Sequence, residues 1–368
     1  MKGDLCMETP YIVIEEAVVE QNIERMAKIG KENGVQLRPH IKTHKLPYIA
    51  KKQLAAGAIG ITVATISEAE VMASEGIRDI FVAYPIVTES KAEQVIQLKQ
   101  KLSNLIVGVD SIVGANILQK VAKEHHEKLQ VRLEIDTGLS RTGVEIEGAT
   151  DLAEQIAQLD HLLFEGIFTF KGAICEREGT LDLEAAGQEE GELMLNVAAS
   201  IREKGIEVQS ISVGSSPTAA TVAKVTGVTE IRPGTYIYND VMQEASGICT
   251  WKDCAAYVVS TVVSKRGDRH IVIDGGSKTF ATDVQPGGAP LYLKGFGKMK
   301  GHPNAVFVRM NEEHGVIELH GESINIGDQI CIIPNHICST VNLHNHVYIK
   351  KQNGSYEKLH VAARGMLQ

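Results

Sequence analysis

Leu37-Arg38-Pro39-His40-Ile41-Lys42-Thr43-His44-Lys45 is the stretch on which the reading of the fold turns. It follows a short apolar run from Val35 and gathers two lysines, two histidines and an arginine within nine residues. A strand that ends in such a cluster makes a poor core and a good anchoring site. A lysine whose pKa is lowered by neighbouring cations can form a Schiff base with an aldehyde cofactor. The competing reading is a solvated basic loop. What decides between them is whether the same sequence of events, an apolar run and then a polar cluster, recurs along the chain.

It does recur. Apolar runs suited to buried parallel strands occupy 35–38, 59–64, 79–83, 104–109, 131–135, 162–169, 208–213 and 230–238. Helical patterns alternate with them: 15–33, ended by Gly34, then 67–75, 89–101, 112–127, 150–159, 183–204 and a short 219–225. Alternation of this kind implies a parallel sheet. Eight units within about 220 to 250 residues imply a closed (β/α)8 TIM barrel, an α/β fold. An open doubly wound sheet would place a GxGxxG fingerprint after its first strand, and none is there. Beyond Gly247 the runs shorten and are separated by Gly, Pro, Asn and Asp, at 257–263, 269–273, 306–310, 315–319 and 329–333. This predicts a C-terminal all-β domain. The expected organisation is an extended N-terminal segment over 1–14 packed with the β domain, a barrel over 15–246, and the β domain over 247–368.

Composition bounds the function. With 368 residues, 43% hydrophobic and 23% charged, the chain has room for a barrel and an addition. A net charge of −9 argues against nucleic acid as a partner, though not against a small anion in a local basic pocket. No apolar run reaches transmembrane length, so no membrane partner is expected. The first ten residues carry Asp4 and Glu8 and lack an apolar signal region. Six scattered cysteines read as reduced thiols, and together these features predict a cytoplasmic protein.

Barrel enzymes work at the C-terminal ends of their strands. Polar clusters follow the runs there: Lys42 after the first, Tyr84 after the third, Asp136-Thr137-Gly138-Leu139-Ser140-Arg141-Thr142-Gly143 after the fifth. Gly214-Ser215-Ser216-Pro217-Thr218 follows the seventh, and Arg232-Pro233-Gly234-Thr235-Tyr236 lies on the eighth. The last two sit where such barrels cradle phosphate. Gly214 allows close backbone approach, Ser215, Ser216 and Thr218 supply hydroxyls, and Gly234 and Thr235 add N–H groups; taken alone, the same stretch is also a capped helix start. A reactive lysine opposite a phosphate cradle suggests pyridoxal 5'-phosphate, which needs that lysine, a phosphate site and a partner for its ring nitrogen. Arg232 could face the nitrogen and, keeping its proton, leave it unprotonated; Arg141 could hold the phenolic oxygen. The alternative for both arginines is a salt bridge, to Asp136 or Glu230 for instance. In the β domain, His336 and Cys338 lie two residues apart in Pro334-Asn335-His336-Ile337-Cys338. On a strand they would share a face and present imidazole and thiolate together, which suits Zn²⁺. His344 and His346 are further candidates, the latter better suited to the surface.

These motifs resemble the alanine-racemase-like (fold type III) pyridoxal phosphate enzymes, and within them the D-threonine aldolase / D-serine dehydratase family. The resemblance covers nearly the whole chain and is most specific at Arg38–Lys45. It implies that Lys42 is the Schiff-base residue, with Lys45 as the alternative. It implies a divalent metal, Zn or Mn, on His336 and Cys338, a small-molecule D-amino acid substrate and a homodimer. Cys338 as second metal ligand is similar to the dehydratases, whereas Gly166-Ile167-Phe168-Thr169-Phe170-Lys171-Gly172-Ala173 lacks their histidine-rich Gly-His-x-Tyr segment. The activity implied first is retro-aldol cleavage of a 3-hydroxy-D-amino acid to glycine and an aldehyde, by a lyase of D-threonine aldolase type. Dehydration of the D-serine type comes next, then a racemase or a pyridoxal-phosphate-binding protein without turnover. His40 and His44 are candidate proton carriers in either lyase.

Overall fold

The computed structural model describes residues 7–368; the first six residues of the expected N-terminal segment lie outside the described residues. By contact, the described residues form two units. One comprises 25–42, 47–234 and 366–368, the other 7–24, 43–46 and 235–365.

The first unit is the barrel. Its eight parallel strands are, in chain order, Gln36–Leu37, Ile61–Val63, Asp79–Val82, Asn104–Val109, Leu129–Asp136, Leu162–Phe168, Ser210–Val213 and Glu230–Ile231. The eighth pairs with the first, Glu230 opposite Gln36. The circle closes where His40 bridges Thr62, with the Thr62 N–H donating to the Pro39 carbonyl at 2.8 Å. Helices cover the outside, and their starts are written in side chains. Thr65, Thr88, Ser111 and Asp182 each accept an N–H of the first turn of the helix that follows, which relieves groups with no intrahelical partner. A helix at Pro47–Ala55, after the first strand, has weak apolar periodicity and is absent from the sequence pattern.

The barrel interior is partly aromatic. Phe81 and Phe168 meet edge to face at 4.9 Å and pack with Ile106. A charged layer shares the interior. Glu230, 1% exposed, accepts from Arg38 Nε at 2.8 Å and Arg132 Nη1 at 2.5 Å, while Arg38 also pairs with Asp79 and Arg132 with Glu165. Strands six and seven come very close at Gly166, where a Cβ would stand 2.1 Å from the Ser210 carbonyl oxygen. The eighth strand is shorter than the expected 230–238. Pro233 has no N–H to continue the ladder, and after Gly234 the chain turns into a 3-10 helix at Thr235–Ile237.

The second unit is built on a mostly antiparallel sheet in the order Val306–Met310, Gly315–Glu318, His270–Ile273, Ala256–Arg266, Tyr11–Glu15, His346–Lys350, Tyr356–His360. Gln329–Pro334 also pairs with Ala256–Arg266, and Gly297–Met299 with Gln329–Pro334. Tyr11–Glu15 lies inside the sheet, antiparallel to Ala256–Arg266 and parallel to His346–Lys350. His336 and Cys338 are not on a strand. His336 occupies the N-cap position of a helix at Ile337–Leu343 without a side-chain cap; the buried Asp240 carboxylate accepts the Ile337 N–H at 3.0 Å instead, and the Asn335 side-chain amide is anchored on Gly295 O at 2.9 Å. Five cysteines are described, all free. Among the described residues no helix is long and apolar enough to cross a membrane.

Candidate active site

A cavity of about 300 Å³ opens at the C-terminal ends of the barrel strands. Its wall is assembled from strand one (His40, Lys42), strand three (Tyr84), strand five (Glu134, Arg141), strand six (Phe168, Phe170) and strand eight (Arg232). Lys42 is placed by the way strand one ends. The Arg38 N–H donates to Ile231 O and the His40 N–H to Pro233 O, each at 3.0 Å, and the chain then closes into the short turn Ile41–Thr43. The His40 imidazole is directed back onto this turn, its Nδ1 3.3 Å from the Lys42 N–H. The Lys42 ammonium lies 5.1 Å from the centre of the Phe170 ring, and the Arg141 guanidinium 5.0 Å from the same centre. The solvated-loop reading of the basic stretch does not hold, since Arg38, His44 and Lys45 are buried.

Arg232 is fixed by its own hydrogen bonds, Nη1 to Ser212 Oγ and Nη2 to the Thr169 carbonyl, both at 2.5 Å, and it stacks on Phe168 at 5.3 Å. Burial pushes its pKa down to about 10, so it remains a cation at neutral pH. It does not pair with Glu230, whose oxygens are taken by Arg38, Arg132 and Ser212. Arg141 lies on Phe170, while Asp136 Oδ1 accepts the N–H groups of Gly138 and Ser140.

Glu134 escaped the sequence reading. It is 3% exposed on the fifth strand; Oε1 accepts from Thr142 Oγ1 at 2.9 Å, and Oε2 is buried with no hydrogen-bond partner. Burial pushes its carboxyl above the ordinary range, against the pull of Thr142 and Arg141. Polar side chains at every second position of the strand, Gln130, Arg132, Glu134 and Asp136, were the available signal.

The strand-seven turn is built on Gly214, whose φ of +81° favours glycine. Its N–H donates to Glu190 Oε1 at 2.9 Å, Thr218 Oγ1 donates to Glu190 Oε2 at 3.0 Å, and the Ser215 N–H donates to Thr218 Oγ1 at 3.2 Å. Ser215 and Ser216 are buried. The turn and Gly234 are not part of the cavity wall.

In the second unit, Thr235 and Tyr236 lie in the 3-10 helix, Tyr236 buried. His44 accepts the Leu46 N–H on Nδ1 at 3.1 Å and packs its ring against Tyr238; Lys45 is buried, its carbonyl accepting the Ala363 N–H. Of the four chemistry-bearing side chains in the opening stretch, only His40 and Lys42 reach the cavity wall. The Cys338 sulfur stands 3.1 Å from Thr43 Oγ1 and 3.4 Å from Thr235 Oγ1, and is hydrogen-bonded to His336. His336 Nδ1 meets Asp283 Oδ2 at 2.5 Å. Burial disfavours the imidazolium, but the neighbouring Cys338 thiolate and Asp283 outweigh it and push His336 up to about 11. His344 Nε2 is engaged by the Thr279 carbonyl at 3.0 Å, and His346 is exposed beside His360.

The residues fit both groups under consideration. An amine, two guanidiniums, two aromatic faces and an orphaned carboxylate oxygen around one cavity suit an aldehyde cofactor with an aromatic ring. Cys338 and His336 side by side supply a sulfur and, once the imidazolium gives up its proton, a nitrogen of the kind Zn²⁺ takes, and two ligands leave positions open. Among the described residues no cluster of three or more His, Cys, Asp or Glu is poised to hold a metal.

The chain is similar to known proteins over nearly its whole length. The profile of the alanine racemase N-terminal domain matches residues 14–241, and that of a putative serine dehydratase domain matches 255–350. The D-threo-3-hydroxyaspartate dehydratase of Delftia sp. (strain HT23) is 31% identical over 91% of this chain and 92% of its own. Its solved structure superposes with a TM-score of 0.88 over 97% of this chain and 98% of that one. The D-threonine aldolase of Arthrobacter sp is 26% identical over 98% of this chain and 93% of its own. The crystal structure of D-threonine aldolase from Filomicrobium marinum, 27% identical, reaches a TM-score of 0.87 over 98% of this chain and 97% of that one. The chain belongs to the alanine-racemase-like, fold type III pyridoxal phosphate family, in the branch that carries a serine dehydratase-type second domain.

Proposed function

We propose that the chain is a pyridoxal-phosphate- and divalent-metal-dependent lyase acting on 3-hydroxy-D-amino acids. That it is a lyase of this cofactor class rests on its relatives, named as aldolases and dehydratases of D-hydroxy amino acids. The observation that carries the site assignment is Lys42, held on a cavity wall with Arg141, Arg232 and the unpartnered Glu134 oxygen. Lys42 would bind the aldehyde carbon, and once exchanged for the substrate amine it would be free to take or return a proton at Cα. Arg232, a cation whose donors are already directed, would face the ring nitrogen, and Arg141 the phenolic oxygen. The 214–218 turn, with Gly234 and Thr235, would hold the phosphate. The cofactor supplies an electron sink for bond breaking at Cα. His336 and Cys338 would hold the metal, which supplies a Lewis acid for the substrate's β-hydroxyl.

Between the two lyases, β-elimination of water is favoured over retro-aldol cleavage, the reverse of the order the sequence resemblance implied. Solved variants of a D-threo-3-hydroxyaspartate dehydratase replace a histidine and, two residues later, a cysteine, and the cysteine variant is in the metal-free form. His336 and Cys338 have the same spacing. Retro-aldol cleavage stays as the second reading because relatives named aldolases align over comparable lengths.

The test is an assay of D-threo-3-hydroxyaspartate, D-serine and D-threonine with Zn²⁺ or Mn²⁺, reading ammonia against glycine. Ammonia without glycine supports the dehydratase, and glycine with an aldehyde supports the aldolase. Activity that survives a chelator removes the metal, and a Lys42→Ala protein that keeps the visible absorption of bound cofactor removes Lys42. A homodimer is part of the proposal and is checked by light scattering.

A further inference from the structure

The longest helix of the barrel, Leu183–Glu203, carries a buried carboxylate that the proposed chemistry leaves idle. Gly187 and Gly191 lie one turn apart on it. A Cβ at Gly187 would stand 2.8 Å from Thr221 Cβ, and one at Gly191 2.9 Å from Val225 Cβ. Their missing side chains let the helix settle against the segment that follows strand seven. Glu190, between them, is thereby brought to the 214–218 turn with no exposed surface. Its two oxygens take one donor each, the Gly214 N–H at 2.9 Å and the Thr218 hydroxyl at 3.0 Å. Thr218 then accepts the Ser215 N–H, so one carboxylate organises three residues of the turn. Burying an acid is costly, and a turn needs none to form.

We propose that Glu190 is a positioning residue for phosphate binding: it braces Gly214 and Thr218 so that the turn keeps the shape needed to hold the cofactor's phosphate. This rests on the reading of the 214–218 turn as the phosphate site. It also moves Thr218 from phosphate ligand to brace, because its proton is spent on Glu190.

The experiment compares pyridoxal phosphate with pyridoxal, which lacks the phosphate, by equilibrium dialysis against the full-length protein freed of cofactor. Glu190→Ala is expected to lower affinity for pyridoxal phosphate about tenfold or more, the loss of two charge-assisted hydrogen bonds, and to change pyridoxal less than about twofold. Glu190→Gln is expected to stay within about threefold of wild type, since its amide can accept from Gly214 and donate to Thr218. Thr218→Val, which removes the hydroxyl at near-constant volume, should follow Glu190→Ala and keeps the test open if that variant does not fold. Equal losses for both ligands, or a phosphate preference kept in Glu190→Ala and Thr218→Val, overturn the inference alone. A wild-type protein with no preference for pyridoxal phosphate overturns the phosphate reading of the turn, and this inference with it.

Discussion

Replacing Glu230 by Gln tests the charged layer beneath the candidate active site. The carboxylate is buried, with Arg38 Nε at 2.8 Å and Arg132 Nη1 and Ser212 Oγ each at 2.5 Å. Burial alone would raise its pKa; the two guanidiniums more than reverse this and bring it from 4.5 to about 2. At 1.36 kcal/mol per pH unit that displacement is worth about 3 kcal/mol of folding free energy. Breaking a buried ion pair costs about 3–5 kcal/mol by mutational precedent. The lower end applies here, because Arg38 keeps Asp79 and Arg132 keeps Glu165. The sign follows from the direction of the shift. A carboxyl depressed in the folded state contributes fully above its unfolded value near 4.5, and the contribution fades as the pH falls towards about 2. Urea unfolding followed by circular dichroism should place Glu230→Gln about 3 kcal/mol below wild type at neutral pH, with the gap narrowing steadily below the unfolded value. The reasoning is refuted if the two proteins are equally stable at neutral pH, or if the gap is independent of pH. Other carboxylates titrate in both proteins, so the difference between them is the quantity to read.

Gly166→Ala should fail to give soluble barrel, because the new methyl would meet the Ser210 backbone, which has nowhere to move; a soluble protein with wild-type melting would contradict this. Glu134→Gln should raise the melting temperature of the cofactor-free protein, by relieving a buried carboxylate of about 1–3 kcal/mol penalty, while lowering cofactor affinity; melts with and without pyridoxal phosphate check both signs. Phe170→Leu should weaken cofactor binding several-fold by removing the ring that Lys42 and Arg141 share, at about 0.5–1 kcal/mol per contact, and dialysis reads the change.

Much of the barrel was legible because parallel strands are buried on both sides and leave continuous apolar runs, with side-chain caps such as Thr65 and Thr88 marking the helices. Two kinds of feature were not legible. Short strands whose identity depends on distant partners carry no local signature: His346–Lys350 and Tyr356–His360 are strands through pairing with each other and, for the former, with Tyr11–Glu15. Local geometry set from afar is equally hidden. His336 and Cys338 share a helix start only because Asp240, about a hundred residues earlier in the chain, takes the Ile337 N–H. In the candidate site, Lys42, His40, Arg141 and Arg232 come together on one wall because each follows or ends a barrel strand, a relation fixed by topology. Glu134 was overlooked because the run at 131–135 was read for its apolar positions alone, although Arg132 and Glu134 alternate with them, and Thr218 was read as a ligand because its bond to Glu190 crosses twenty-eight positions.

Tyr11–Glu15 sits in the middle of a sheet whose other members begin at Ala256. During synthesis this peptide leaves the ribosome ahead of both neighbours, which follow roughly 240 and 330 positions later, after every barrel strand has emerged. Long-range pairing of that kind is slow and leaves hydrogen-bonding edges bare while it waits. A nascent chain stalled just past the barrel would therefore carry an unpaired, apolar ribbon, Tyr-Ile-Val-Ile-Glu, open to chaperones or to a neighbouring polysome product, and deleting it would split the finished sheet at its centre rather than trim an edge.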